Sequence, residues 1–166
     1  PDGGGFPALF TGGQQERGRR AGTVNVAGVV GFAAACRIAL RDRVERQKRY
    51  RELSRSIEKR VVSLGGRVVG ADVARVANTV CAVFPGLLSE TLVQSLDLAG
   101  VCGSAGAACS SGSLEASPVL EAMGDQGAKS AIRVSVGPTT KADEVQGFLG
   151  VLTRIVETAL SLKKGV

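Results

Sequence analysis

Apolar positions along the chain follow two periods, one near 3.6 residues and one of two, and they alternate in blocks. From about Val24 to Leu40 small and apolar residues dominate, which predicts a buried helix. A second helix is expected from about Arg41 to Leu64, with Tyr50, Leu53, Ile57, Val61 and Leu64 as its inner stripe and Gly65-Gly66 as its stop. Arg67–Val69 and Asn78–Phe84 then read as strands, the second stopped by Pro85-Gly86. Ser89–Asp97 reads as a helix with Ser89 as N-cap and Glu90 in its first turn. Val101 and Cys102 suggest a brief strand, and Ser117–Met123 one or two helical turns with Pro118 at the first position and Gly124 as the stop. Ala131–Val136 alternates, which sets Arg133 and Ser135 opposite Ile132, Val134 and Val136. A last helix is expected from Thr140, with Asp143 and Glu144 in its first turn. Its stripe is Val145, Phe148/Leu149, Leu152, Ile155/Val156 and Ala159, and Lys163 and Lys164 suit its C-terminal dipole. The expected class is α/β, helices packed on a small sheet.

Length and composition narrow this picture. A chain of 166 residues can bury a real core, and 44% hydrophobic content with only 4% aromatic makes that core largely aliphatic. No apolar run approaches the roughly 20 residues of a membrane span, so no membrane partner is expected. Pro1–Gly5 carries neither the basic nor the apolar part of a signal peptide. The chain does not open on Met, so an upstream start is expected. Cys36, Cys81, Cys102 and Cys109 show no CxxC spacing, and reduced thiols are the expected state. With no histidine, no zinc site or other metal site is expected.

Charge is concentrated in one segment. Residues 41–60 hold nine Lys/Arg against four acids, five of the six net positive charges of the chain. Asp42 with Arg46 and Glu45 with Arg49 form i,i+4 pairs typical of a solvated helix face. A basic helix can also bind an acidic partner or nucleic acid, but no aromatic residues are interleaved for bases, so nucleic acid is not expected.

Three places combine polar groups with glycine-rich or strand-end settings. Cys109 lies in Gly103–Ser113, a run of small and hydroxylated residues that gives a thiol access rather than packing partners. It is a candidate nucleophile or sulfur carrier, although no neighbouring His or Lys is present to lower its pKa. Arg17–Thr23 with Asn25 offers guanidinium and hydroxyl donors just before a helix, which is either a phosphate site or an ordinary capped loop. Arg133 stands on an otherwise apolar and small strand, either on the wet face of the sheet or as a carboxylate clamp.

Five motifs occur in order: Gly-Gly-Gln-Gln-Glu-Arg-Gly-Arg-Arg-Ala-Gly-Thr-Val-Asn (12–25), Asn-Thr-Val (78–80), Ala-Ala-Cys-Ser-Ser-Gly-Ser-Leu-Glu (107–115), Val-Leu-Glu-Ala-Met-Gly (119–124) and Ala-Ile-Arg-Val-Ser-Val-Gly-Pro-Thr-Thr (131–140). Together they resemble the C-terminal part of a pyridoxal-phosphate-dependent cysteine desulfurase of the class V aminotransferase family, over nearly the whole chain. The resemblance implies the C-terminal portion of the fold-type I aminotransferase architecture. Residues 1–40 would be a remnant of the large cofactor-binding domain, and 41–166 the small domain carrying the cysteine loop. It implies conversion of L-cysteine to L-alanine. The thiol of Cys109 takes the substrate sulfur as a persulfide and passes it to an iron–sulfur scaffold or another acceptor protein. Arg133 would bind the substrate carboxylate, and Thr23 the phosphate of the pyridoxal 5'-phosphate held by the other subunit of a cytoplasmic homodimer.

The chain also departs from that family. The family anchors its cofactor on a lysine in a Ser-x-His-Lys motif, whereas here there is no histidine, and Lys48, Lys59, Lys129, Lys141, Lys163 and Lys164 lie in no such context. The chain alone is therefore expected to be inactive. The segment between Gly124 and Arg133 is also a little shorter than usual. Alternatives are a selenocysteine lyase, a desulfurase for DNA or tRNA sulfuration, or a non-enzymatic sulfur-carrier or binding module in which a partner enzyme loads Cys109.

Overall fold

The computed structural model describes residues 7–105 and 116–164. The chain divides into two compact units, Pro1–Arg43 and Val44–Val166.

The first unit holds a short 3-10 turn, Gln15–Gly18, and helix α1, Val26–Arg41. Asn25 starts α1 by accepting the Gly28 N–H at 2.9 Å on its side-chain oxygen. The expectation of a buried helix holds for the helix and fails for the burial. None of its residues is buried, and Val26, Phe32 and Leu40 are 64%, 74% and 68% exposed. Apolar periodicity reports that a backbone prefers helix; it carries no record of the surface that would cover it.

The second unit is an antiparallel sheet with three helices on one face and a short one on the other. Helix α2 spans Arg43–Ser63, strand β1 Arg67–Val68, strand β2 Thr79–Val83 and helix α3 Ser89–Leu98. Strand β3 is Ser104–Ala105, α4 Pro118–Ala122, β4 Ala131–Ser135 and α5 Ala142–Lys164. The strand order is β1-β2-β4-β3. Alternation sorts the side chains. Val80, Ala82, Phe84, Ile132 and Val136 join Leu53, Ile57 and Val61 of α2, Leu92 and Leu96 of α3 and Leu149, Leu152 and Val156 of α5 in one aliphatic core. The opposite face carries a smaller cluster, Val83, Leu120, Ala128 and Ala131, where α4 covers one end of the sheet.

Three boundaries differ from the sequence reading. Ser89 is not the N-cap of α3; Leu88 occupies that position with no side-chain cap, and the Ser89 N–H donates to the Lys129 carbonyl at 2.9 Å. That tertiary bond satisfies the first N–H and displaces the local cap. The brief strand expected at Val101 and Cys102 lies instead at Ser104–Ala105, because the Val101 N–H is used by the Leu96 carbonyl at the end of α3. Helix α5 begins at Ala142 rather than Thr140. The Thr140 hydroxyl accepts the Gly137 N–H at 2.8 Å, and the Glu144 carboxylate reaches back to the Lys141 N–H at 2.7 Å, half of a capping box.

By length and hydropathy, Ala142–Lys163 passes the test for a membrane span. The apolar-run expectation overlooked this, because glycines and threonines interrupt the run without making it polar. Its Val145, Leu149, Leu152 and Val156 are nonetheless core residues at helical spacing.

One ion pair ties the short connection before β4 to the sheet. The Arg67 guanidinium donates to Asp125, whose carboxylate also accepts the Gly127 N–H at 2.7 Å. Both interactions hold the Asp125 carboxyl below its ordinary pKa of 3.8, Arg67 more than the amide. A depressed folded pKa contributes stability that is complete above the unfolded value and is lost as the pH falls through the folded one. Unfolding by urea between pH 7 and pH 2 is expected to show wild type more stable than Asp125→Asn above about pH 4. The difference should shrink towards zero in stronger acid; a constant difference would contradict the assignment.

Candidate functional site

The site grows out of the sheet register. Strand β4 pairs with β2 on one side and β3 on the other, so Arg133 stands opposite Cys81 in β2 and Ser104 in β3. Parity places Thr79, Cys81, Arg133 and Ser135 on the face away from the large core, and Thr79 Oγ1 and Ser135 Oγ share a hydrogen bond of 3.3 Å. At one end of this face α4 packs over Val83 and Ala131. At the other, Arg133 and Ser135 are exposed. Of the two readings left open for Arg133, surface residue or anion clamp, the exposure satisfies both. Its guanidinium donates to no group among the described residues.

Cys109 lies at 106–115, outside the described residues. The strand leading into that stretch is β3, and Ala105 pairs with Ile132 beside the Ser104–Arg133 pair. The chain therefore leaves the described sheet next to the guanidinium. Cys102, three residues beyond α3's C-cap at Ala99, is exposed and lies outside the strand.

Cys81 was not singled out in the sequence, where it read as one apolar position in a strand. The structure puts its half-buried thiol across from Arg133. Burial pushes the thiol pKa up, Arg133 draws it back, Asp125 raises it further and Arg67 opposes that. The parity of Asn78–Phe84 held the signal, since Thr79 and Cys81 alternate with Val80 and Ala82; the missing information was the register with β4.

Thr23 belongs to the first unit and Arg133 to the second. Thr23 is exposed just before α1, with its hydroxyl bonded to nothing among the described residues. Arg20 donates to the Gly22 and Thr23 carbonyls at 3.1 and 2.8 Å, and the Gly22 N–H donates to the Gln15 side chain at 3.2 Å. Two non-glycine residues here, Glu16 and Arg17, take left-handed φ values of 51° and 58°. Such residues are uncommon outside Gly, Asn and Asp, and they concentrate at functional loops. Arg17, Arg19 and Thr23 are exposed in this loop before α1.

Comparison with known proteins relates the chain to a family. The model of the class-V aminotransferases matches residues 8–148. A cysteine desulfurase of Cereibacter sphaeroides is 40% identical over 160 residues, covering 95% of this chain and 41% of the relative. One of Klebsiella pneumoniae is 35% identical, covering 95% of this chain and 40% of its own length. A solved NifS-like protein superposes with a TM-score of 0.80 at 31% identity, over 95% of this chain and 40% of that one. A NifS-like protein from Rickettsia africae gives 0.77 at 27% identity, over 90% and 40%. The chain thus spans about 40% of the length of these relatives. The α/β architecture agrees with theirs over that part, as the sequence led us to expect. The chain belongs to the class-V aminotransferase family.

Proposed function

We propose that this chain is the C-terminal part of a cysteine desulfurase, with residues 1–40 completing the large cofactor-binding domain and 41–166 forming the small domain. The observation that carries this reading is the β3–β4 register, which brings the entry to the Cys109 segment beside Arg133. A cysteine substrate needs both at once, a cation for its carboxylate and a thiol for its sulfur.

Each residue then has one task. Arg133 binds the substrate carboxylate through its paired N–H donors and so fixes where the substrate sulfur lies. Cys109 acts as the thiolate. Its sulfur attacks the substrate sulfur, the S–S bond forms as the C–S bond breaks, and the C–S electron pair leaves with the three-carbon fragment. Protonation of that fragment gives alanine, and the persulfide on Cys109 carries the sulfur to an acceptor such as an iron–sulfur scaffold protein. Pyridoxal phosphate, when bound, supplies the electron sink for this chemistry. Thr23 donates its hydroxyl to the cofactor phosphate of the neighbouring subunit in a cytoplasmic homodimer. None of the six lysines lies in the family's anchoring motif, so the chain by itself does not hold the cofactor covalently.

The test is reconstitution. The chain alone is expected to give no alanine from L-cysteine and no stable absorption band of a lysine-linked cofactor. Mixing it with a separately expressed N-terminal part carrying the Ser-x-His-Lys lysine should restore alanine production. A stable band with the chain alone would refute the claim of dependence. Failure of the mixture, with Cys109 nonetheless accepting sulfur from a partner enzyme, would support the carrier reading.

A further inference from the structure

We propose that the groove between α3 and α5 receives the apolar face of an acidic amphipathic helix from a partner protein. The groove is a cavity of about 550 Å3, separated from the Arg133 face by the sheet and its core. Leu88 and Leu92 form one wall and Ile155, Ala159 and Leu162 the other. Leu88 and Leu162 are 52% and 70% exposed, so the walls stand open along the surface. An enclosed pocket buries most of a small ligand's surface; an open trough between two helices instead suits apolar side chains delivered at i, i+3, i+4 and i+7 from a third helix.

Charge selects the occupant. Arg154 and Lys163 border the groove, and among the described residues no carboxylate lines it. Arg154 has no hydrogen bond or ion pair among the described residues. Lys163 donates one N–H to the Gly86 carbonyl, which fixes its ammonium at the groove's end and leaves two donors. Arg154 and Lys163 stand nine residues apart on α5, about 13.5 Å along the helix axis at 1.5 Å per residue and half a turn apart, so they border the groove from the helix's two flanks. Two carboxylates nine positions apart on a docked helix match that spacing.

The basic segment of α2 adds to the field. Arg60 of α2 donates to Thr153 of α5 at 3.1 Å, which places the two helices side by side. With Leu53, Ile57 and Val61 turned to the sheet, the exposed Lys48, Arg51, Arg55 and Lys59 fall at helical spacing on the outward side, as Arg154 does on α5. Such a field speeds the encounter with an acidic partner. A nucleic-acid backbone would use the cations and leave the aliphatic groove empty, and among the described residues no aromatic ring lines the groove for a base to stack on.

The probe is a fluorescein-labelled 14-residue alanine-based peptide with leucines at positions 3, 7 and 10 and glutamates at 2 and 11. Fluorescence anisotropy with the chain is expected to show saturable binding that weakens as salt rises. The same peptide with lysines at 2 and 11 should bind at least tenfold more weakly, a comparison that needs no protein variant. Arg154→Glu with Lys163→Glu should reverse the preference, and Leu88→Asp should remove binding of both peptides with the far-UV circular dichroism unchanged. Equal binding of the two peptides, or none, overturns the proposal. So does tighter binding of a 16-base-pair duplex or of decanoate.

Discussion

In the complete enzyme, Cys109→Ala is expected to abolish the persulfide and to reduce alanine formation by at least about 10³-fold, the scale on which removing a covalent nucleophile acts. Cys102→Ala should leave both near wild type. The two thiols are seven residues apart in sequence, so the pair of variants separates nucleophile from neighbour. Cys102 is exposed, but it precedes β3, whereas Cys109 follows it. Cys81→Ala supplies a further contrast. Its thiol is the one closest to Arg133 in the sheet register, yet burial raises its pKa and leaves little thiolate at neutral pH. Mass spectrometry after a single turnover reads the outcome, since the persulfide adds one sulfur atom to a defined cysteine peptide. Loss of the added sulfur in Cys102→Ala, with Cys109→Ala retaining it, would assign the chemistry to the other thiol.

What the sequence made legible follows from how local each signal is. Period-two alternation found β2 and β4 within a residue or two, and helical spacing found the Leu53, Ile57 and Val61 stripe, because inward and outward positions are set within one element. The same reasoning over-read α1, where apolar spacing says nothing about what lies opposite. It misplaced the start of α3, because the competing hydrogen bond came from Lys129, forty residues away in sequence. The site shows the same division. The proposed site residues Cys109, Arg133 and Thr23 are chosen by residue type and setting, which single segments carry. The Cys81–Arg133 neighbourhood and the Arg67–Asp125 tie depend on strand register and on a loop returning to β1, and neither has a local signature. The α3–α5 groove is invisible for a related reason, since each of its walls reads in sequence as an ordinary core stripe.

Arg133 is where the proposed chemistry can be separated from mere folding. Arg133→Ala in the complete enzyme is expected to lower kcat/KM for L-cysteine by roughly 100-fold, equivalent to about 3 kcal/mol for removing a charge-assisted hydrogen bond to a carboxylate. The loss should fall mainly on KM, since the carboxylate is bound before and during sulfur transfer alike. Arg133→Lys keeps the charge and loses the planar fork, so it should recover only part of the activity. Cysteamine, which has the amine and the thiol but no carboxylate, gives the control: wild type and Arg133→Ala should handle it equally poorly. Arg133 is exposed, and its neighbours Ala131 and Ile132 carry the packing, so circular dichroism should not change. A second readout follows from the register. The guanidinium lowers the Cys81 thiol pKa, so removing it should raise that pKa and slow alkylation of Cys81 at a fixed pH. Slower alkylation of Cys81 together with an equal loss on L-cysteine and cysteamine would leave Arg133 in place beside Cys81 but remove it from substrate binding. Slower alkylation with a loss confined to L-cysteine is the result that the carboxylate clamp requires.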